Sequence, residues 1–225
     1  MAPSPSGDGD PHVAERRNLV RQIEAEVAAT ADWTGRDRLA PRVLDAIRTV
    51  PRHEFVPRAE RGIAYINNAL PIGHGQTISQ PYIVALMTDL LDAGPDSVIL
   101  EVGTGSGYQA AVLSGLVRHV WSIEVVPELA ASAAERLRRL GYDNVTVRDG
   151  DGAAGWPEHA PYDGIIVTAQ ATTIPPALVE QLAPNGRLVI PLGGAGGQML
   201  TVVTKRPDGD TDQRAVLPVA FVPLV

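Results

Sequence analysis

The sequence predicts an α/β fold with a doubly wound, mostly parallel, seven-stranded sheet, an antiparallel edge and helices at the N-terminus. Two observations carry this prediction. From residue 81 onward, short apolar runs alternate with stretches of helical periodicity, and such alternation requires crossover connections that make neighbouring strands parallel. At the C-terminus, the last two apolar runs are separated by a short turn instead of a helix, which predicts an antiparallel pair.

The N-terminal third of the chain contains helical patterns but no strand series. Residues 1–11 are rich in Pro, Gly, Ser and Asp, and we expect a disordered tail there. Apolar residues at helical spacing predict an amphipathic helix over residues 12–29, and a shorter helix is predicted from Pro41 to Thr49. Residues 51–80 read as irregular, and a connection of this length inside a compact domain is usually functional or a lid.

The core series begins with a helix predicted over residues 81–91. The elements that follow are strands at 97–102, 119–124, 144–148, 163–168 and 187–191, with helices at 107–117, 127–140 and 175–182. Two further strands are predicted at 199–204 and 216–222, joined through a turn at 206–210. In such a sheet, ligands bind at the carboxyl ends of the parallel strands.

A glycine-rich loop follows the first strand of this series. Gly103, Gly105 and Gly107 let the chain turn tightly and let a ligand approach the bare backbone. A dinucleotide loop would require glycine at the position of Tyr108, and Glu101 at the strand end would repel a pyrophosphate. A ligand with a cation and ribose hydroxyls suits this loop better, and S-adenosylmethionine is such a ligand.

Two later acidic positions fit the same ligand. Glu124 ends the second strand, and an acid roughly 20 residues beyond a glycine loop commonly binds ribose hydroxyls. Asp151 and Gly152 follow the third strand, where a carboxylate or a backbone amide can contact an adenine. The alternative for Asp151-Gly152 is an ordinary polar turn.

Composition excludes several classes of protein and site. The chain has a formal net charge of −7 without a basic block, so we do not expect nucleic acid as a partner. It has no cysteine, and its five histidines show no His-x-x-x-His spacing, so we expect no metal site. No apolar run approaches the roughly 18 residues of a membrane span, so we expect a cytoplasmic protein without a membrane partner.

The segment Gly75-Gln76-Thr77-Ile78-Ser79-Gln80-Pro81 is the most specific motif of the chain. With it, the chain resembles the protein-L-isoaspartate O-methyltransferase family from about residue 50 onward. The resemblance also covers Pro51–Pro57, Leu100–Tyr108, Pro161–Ala169 and Phe221–Leu224. It departs from the family at the C-terminus, where Val225 stands in place of a threonine and a polar tail is lacking, so we expect looser closure over the cofactor or compensation by the N-terminal helix.

The resemblance implies a Rossmann-like methyltransferase core over residues 81–225, preceded over residues 12–80 by helices and a loop that covers substrate and cofactor. It implies methyl transfer from S-adenosylmethionine to the α-carboxylate of L-isoaspartyl residues in damaged proteins and peptides, which starts their repair through a succinimide. We also expect a monomer. Ser79 matches the serine that the family uses as its active-site residue. Together with the glycine loop, the resemblance predicts these cofactor contacts: Gln76, Thr77, Ile78, Ser79, Val84, Glu101, Gly103, Thr104, Gly105, Ser106, Gly107, Glu124, Asp151 and Gly152.

Other interpretations stay open from the sequence. Ser79 could instead be the N-cap of the helix that begins near Pro81. The chain could methylate a genuine aspartate of a dedicated peptide and form an aspartimide, act as a generic small-molecule methyltransferase, or bind S-adenosylmethionine without turnover. His74 is interpreted as a loop residue, because methylation of a carboxylate needs no general base.

Overall fold

The structure is a computed structural model that describes residues 10–194 and 196–224. Most of the predicted tail, residues 1–9, lies outside the described residues. Helices α1 (Val13–Ala29) and α3 (Pro41–Thr49) lie close to their predicted bounds, and a short helix α2 (Ala31–Thr34), which was not predicted, lies between them. Leu19, Ile23 and Val27 form the buried stripe of α1, which packs against α3 and the later helix at residues 81–91.

The segment over residues 51–80 contains more regular structure than predicted. Short 3₁₀ helices occupy Arg52–Phe55 and Arg58–Ile63, and strands β1 (Leu70–Gly73) and β2 (Gln76–Ile78) form a separate antiparallel hairpin. His74 and Gly75 make its turn with φ values of 53° and 70°. The expectation of an irregular loop is therefore wrong for these elements, because strands this short show too few alternations to be recognised in a sequence.

The core series follows the predicted order. Its helices are α4 (Pro81–Leu91), α5 (Tyr108–Ser114), α6 (Pro127–Arg139) and α7 (Pro176–Glu180). Its strands are β3 (Val98–Val102), β4 (His119–Glu124), β5 (Val145–Asp149), β6 (Tyr162–Val167), β7 (Leu182–Gly194), β8 (Gly197–Lys205) and β9 (Thr211–Val219). They form one seven-stranded sheet in the order β5-β4-β3-β6-β7-β8-β9.

Strand directions confirm the predicted fold class. Strands β3 to β7 pair in parallel, whereas β7–β8 and β8–β9 pair antiparallel and form the far edge. The chain runs outward from β3 through β4 to β5, and then returns to place β6 on the other side of β3. This reversal opens a crevice at the carboxyl ends of β3, β4 and β6, where a doubly wound sheet binds its ligand.

Three predicted bounds are wrong for local reasons. Helix α5 stops at Ser114 because Gly115 follows it. Strand β7 begins at Leu182, before the predicted 187, and therefore includes a Pro-Asn-Gly sequence. The pairing with β6 shifts register at this sequence, where Asn185 has a φ of 64°. Strand β9 spans Thr211–Val219 instead of 216–222, and the chain beyond it bonds to Gln170 through the carbonyl of Val222 and the N–H of Leu224.

The sheet is buried between two apolar layers. One layer includes α1, α3, α4 and α5, and the other is formed by α7 and the loops around Trp156. Within residues 10–194 and 196–224, no helix combines the length and the apolar character needed to cross a bilayer.

Candidate active site

A cavity of about 760 Å³, counted to its open mouth, lies in the crevice at the carboxyl ends of the central strands. Of the predicted contacts, these line it: Gln76, Thr77, Ile78, Ser79, Val84, Gly103, Thr104, Gly105, Ser106, Glu124 and Gly152. The structure therefore brings the hairpin, the glycine loop and the strand ends together around one space. Glu101, Gly107 and Asp151 are not among the lining residues.

Gly103 begins the glycine loop in a conformation that requires glycine. The N–H of Gly103 donates to the carbonyl of Ile123 at 2.8 Å, and Gly103 has a φ of 95°. A β-carbon at Gly103 would collide with the hydroxyl of Thr168. This position therefore requires glycine for two reasons, its backbone conformation and the close approach of β6.

Glu124 is held at the rim of the cavity by two backbone donors. Its carboxylate accepts hydrogen bonds from the N–H of Gly105 at 2.7 Å and from the N–H of Val126 at 3.0 Å. Its side chain is almost buried, with 5% of the residue exposed. A carboxylate fixed in this way can accept further hydrogen bonds from ribose hydroxyls, as the sequence predicts.

Glu101 lies behind the glycine loop and reaches the cavity through two hydroxyls. Ser122 donates to its carboxylate, and the hydroxyls of Ser122 and Thr104 are 2.6 Å apart. Burial is the main cause that raises the pKa of Glu101 to about 8, and the charge of Glu124 acts in the same direction. At neutral pH the Glu101 carboxyl therefore favours its protonated form. Of the three hydrogen-bonded residues Glu101, Ser122 and Thr104, only Thr104 lines the cavity.

The other two predicted contacts outside the cavity have local structural roles. Asp151 caps a short 3₁₀ helix by accepting the N–H of Ala153 at 2.8 Å, and its side chain is exposed. Gly107 is the N-cap of α5 at φ 88° and packs against Leu137. Gly152, in contrast, lines the cavity at a position where a β-carbon would collide with Val102.

Ser79 lies between the cavity and a neighbouring groove of about 1070 Å³. Ser79 and Thr77 line both spaces, and the groove extends between Asn68, Ile83 and residues 218–222. The N-cap of α4 is Gln80 and not Ser79, so the capping interpretation of the serine is wrong. A group held in the cavity and a second ligand in the groove would meet at Ser79, which is the arrangement that group transfer needs.

Several lining residues were not among the predicted cofactor contacts. They are Val102, Tyr108, Gln109, Ile123, Val125, Thr168, Ala169, Val222, Pro223 and Leu224. Gln109 had a usable signal, because it stands in the first turn after the glycines. The C-terminal residues 222–224 had a signal only in the family resemblance, because nothing in an apolar tail by itself indicates that it returns to the cavity.

The lining groups fit S-adenosylmethionine. The amide of Gln109 donates to Thr88 at 2.9 Å, and its carbonyl oxygen is buried without a partner among the described residues. Such an orphaned acceptor suits the ammonium group of the cofactor. Glu124 suits the ribose, and the apolar side chains of Val102 and Ile123 suit an adenine ring.

Comparisons with known proteins agree with this geometry. The family model described as Protein-L-isoaspartate(D-aspartate) O-methyltransferase (PCMT) matches residues 34–225. The chain is 60% identical over 216 residues to Protein-L-isoaspartate O-methyltransferase 2 of Syntrophobacter fumaroxidans, covering 96% of this chain and 87% of that protein. It is 58% identical to the protein of the same name from Nitrosococcus oceani, covering 92% of this chain and 95% of the relative.

Solved structures show the same similarity. A protein-L-isoaspartate O-methyltransferase aligns with a TM-score of 0.81 at 26% identity, covering 92% of this chain and 65% of that one. A Plasmodium falciparum chain, solved in complex with S-adenosyl-L-homocysteine and described as a β-aspartate methyltransferase (PCMT), aligns with a TM-score of 0.77 at 25% identity. That alignment covers 96% of this chain and 99% of the other.

Proposed function

The chain belongs to the protein-L-isoaspartate O-methyltransferase family, and we propose on this premise that it methylates the α-carboxylate of L-isoaspartyl residues in damaged proteins and peptides. The methyl donor is S-adenosyl-L-methionine, and S-adenosyl-L-homocysteine is the product. The methyl ester then closes to a succinimide, which reopens in part as normal aspartate. The monomeric state and the cytoplasmic location stay predictions.

The observation that carries the proposal is the position of Ser79 between two spaces. The cavity with Glu124 and the glycine loop suits the cofactor, and the groove along Asn68 and residues 218–222 is open to a peptide. A small-molecule methyltransferase needs no such groove beside its cofactor site. The groove therefore supports a polypeptide substrate.

Residues of this chain would hold the cofactor without reacting with it. We assign the ribose of the cofactor to Glu124 and its ammonium group to the side-chain carbonyl of Gln109. The cofactor would lie against the bare backbone of Gly103 and Gly105. When bound, the cofactor supplies a methyl group on a positively charged sulfur, and this methyl passes to the carboxylate oxygen as the carbon–sulfur bond breaks.

The protein's task is alignment, because the substrate needs no activation. A carboxylate with a pKa near ~4 is already ionised at neutral pH and is itself the nucleophile. Fixing the reacting atoms in line can contribute about 7–11 kcal/mol in favourable systems. We assign to the Ser79 hydroxyl a hydrogen bond to the carboxylate, which orients one oxygen toward the methyl group.

Methyl transfer from labelled S-adenosylmethionine to one short peptide, prepared in L-isoaspartyl and L-aspartyl forms, tests the proposal. We expect transfer to the isoaspartyl form only. Transfer to the aspartyl form would indicate a dedicated aspartate methyltransferase. Transfer to neither form, with S-adenosylhomocysteine still bound in calorimetry, would contradict the proposed activity.

Ser79→Ala tests the role of the hydroxyl. Loss of a hydrogen bond to a charged group costs about 1.5–3 kcal/mol, so we expect kcat/KM to fall roughly 10–150-fold while affinity for S-adenosylhomocysteine stays nearly unchanged. Ser132→Ala, an exposed serine on α6, is the matched control. An equal loss of cofactor affinity in Ser79→Ala would show that the serine holds the cofactor.

A further inference from the structure

We infer that Arg52 is a positioning residue for methyl transfer, whose buried guanidinium fixes the backbone of Ser79 and places a positive charge behind the substrate carboxylate. The inference rests on the proposed function, because it assumes an anionic substrate group at Ser79. It assigns a role to the 3₁₀ helix Arg52–Phe55, which lies outside both the cavity and the groove.

The guanidinium of Arg52 joins three separate segments. Its Nε donates to the carbonyl of Ala64 at 2.9 Å, and Nη2 donates to the carbonyls of Ser79 at 2.9 Å and Asn68 at 3.3 Å. Asn68 and Ser79 both line the groove. One side chain thus ties the entry and the exit of the β1–β2 hairpin to the 3₁₀ helix that ends near Ala64.

The same guanidinium also contacts the wall of the cofactor cavity. Its central carbon lies 4.7 Å from the centre of the Tyr108 ring, and Tyr108 lines the cavity. This distance is within the range of a cation–π interaction. Arg52 therefore sets the position of the Ser79 backbone relative to the cofactor site, and the distance between these two parts decides how well oxygen and methyl carbon align.

Arg52 carries its charge without a neutralising acid. The residue is 0% exposed, its Nε and Nη2 donate to carbonyl oxygens, and its Nη1 is buried without a partner among the described residues. No carboxylate of the described residues pairs with it. Burial lowers the pKa of Arg52 to about 10, so the side chain is still a cation at neutral pH. A buried charge is costly, and an apolar residue could fill the same volume without that cost.

The uncompensated charge suits the substrate. The chain as a whole has a formal net charge of −7, which repels an anionic peptide group. A cation buried beside the Ser79 carbonyl attracts a carboxylate in the adjoining groove, and the low dielectric around it strengthens this attraction. Hydrogen bonding fixes the loop, and the charge favours the ionised form of the group that reacts.

The test measures Arg52→Gln and Arg52→Lys with the isoaspartyl peptide and with a matched peptide whose α-carboxylate is replaced by a carboxamide. We expect Arg52→Gln to lower kcat/KM for the isoaspartyl peptide about 10–100-fold, while binding of the carboxamide peptide as an inhibitor and the Kd of S-adenosylhomocysteine change less than about threefold. Arg52→Lys keeps the positive charge but loses the planar guanidinium that bonds several carbonyls at once. Relative to Arg52→Gln, we therefore expect it to restore peptide binding more than kcat.

Arg16→Gln is the matched control, because Arg16 is also buried but pairs with Asp10, away from the hairpin. Equal losses for both peptides and for the cofactor in Arg52→Gln would show a merely structural role and overturn the inference. If Arg52→Gln does not fold, Arg52→Lys decides: unchanged kcat in this variant would overturn the positioning role. A wild-type protein that methylates no isoaspartyl peptide would instead overturn the proposed function.

Discussion

The glycine loop and the Ser79 hairpin line the same cavity, but the hairpin depends more on side chains from distant parts of the chain. The loop from Gly103 to Gly107 is shaped mainly by its backbone, with positive φ values at three glycines and a backbone bond from Gly103 to Ile123 of β4. Side chains of Glu124, Thr168 and Arg136 add hydrogen bonds to the N–H and carbonyl groups of this loop. The hairpin is held by side chains that come from elsewhere in the chain. Arg52 binds the carbonyl of Ser79, and Glu26 of α1 binds the side chain of Gln80.

This difference separates the two halves of the proposed reaction. A locally shaped backbone gives a fixed site for the cofactor, and a substitution there distorts the site directly. A hairpin held by remote side chains can lose its alignment while the cofactor site stays intact. Substitutions in the two regions should therefore change different measured quantities.

The largest effect is expected from Gly103→Ala. The positive φ costs an alanine about 1–3 kcal/mol, and the collision with Thr168 adds overpacking, so we expect stability to fall by roughly 2–6 kcal/mol and cofactor affinity to be lost. Thermal unfolding and titration with S-adenosylhomocysteine measure both. Gly94→Ala is the control, because no atom lies within 4 Å of its added β-carbon. Wild-type cofactor affinity in Gly103→Ala would contradict a rigid local loop.

A smaller effect is expected from Glu101→Gln, and its sign depends on pH. The folded pKa of about 8 lies above the ordinary value of 4.5 for a glutamate side chain, so the native state keeps a proton that the unfolded chain releases between these values. The free energy of unfolding of the wild type should therefore fall as pH rises through this window. Glutamine removes this dependence, so we expect the free energy of unfolding of the variant to change less steeply with pH. Near pH 8 it should exceed that of the wild type by more than about 1 kcal/mol.

Denaturant unfolding at a series of pH values checks this prediction. Glu128→Gln, an exposed acid in the first turn of α6, is the control and should leave the slope unchanged. A parallel pH profile for the Glu101 variant and the wild type would show that the carboxyl is ionised in the folded state. The negative charge would then lie on Glu101, behind the hydroxyls of Ser122 and Thr104.

The smallest effect is expected from Glu26→Gln, which weakens the remote support of the hairpin. The carboxylate of Glu26 accepts hydrogen bonds from the side-chain amides of Asn67, at 2.6 Å, and Gln80, at 3.1 Å. One weakened bond of about 0.5–1 kcal/mol should lower kcat about two- to fivefold without changing cofactor affinity. Glu24→Gln, an exposed neighbour on α1, is the control. A loss of cofactor affinity instead would show that the two regions are not separable.

The fold class was predictable because its signals are short-range. Periodicity identifies a helix or strand within about ten residues, and alternation of these elements leads to a parallel sheet with a crevice at the strand ends. The errors fall where local signals conflict or are too brief. The hairpin β1–β2 has three- and four-residue strands, and β7 contains a Pro-Asn-Gly sequence that resembles a loop.

The site was predictable only in part. Gly103, Gly105 and Glu124 were found from local spacing, and Ser79 was found through the family resemblance. Gln109 was missed, and residues 222–224 were covered by the family resemblance but not predicted as contacts, although all of them line the same cavity. Asp151 was expected to contact the cofactor, and it caps a short helix instead of lining the cavity.

The sequence by itself determined the fold class, the type of ligand and the family, because backbone freedom at glycine, hydrophobic periodicity and a specific motif are properties of neighbouring residues. The tertiary structure decided the protonation of Glu101, the partners of Arg52 and the attachment of the hairpin to α1. These depend on burial and on contacts between residues 12 to 54 positions apart. Neither burial nor a distant partner is encoded in local sequence, because both arise only when packing brings the segments together.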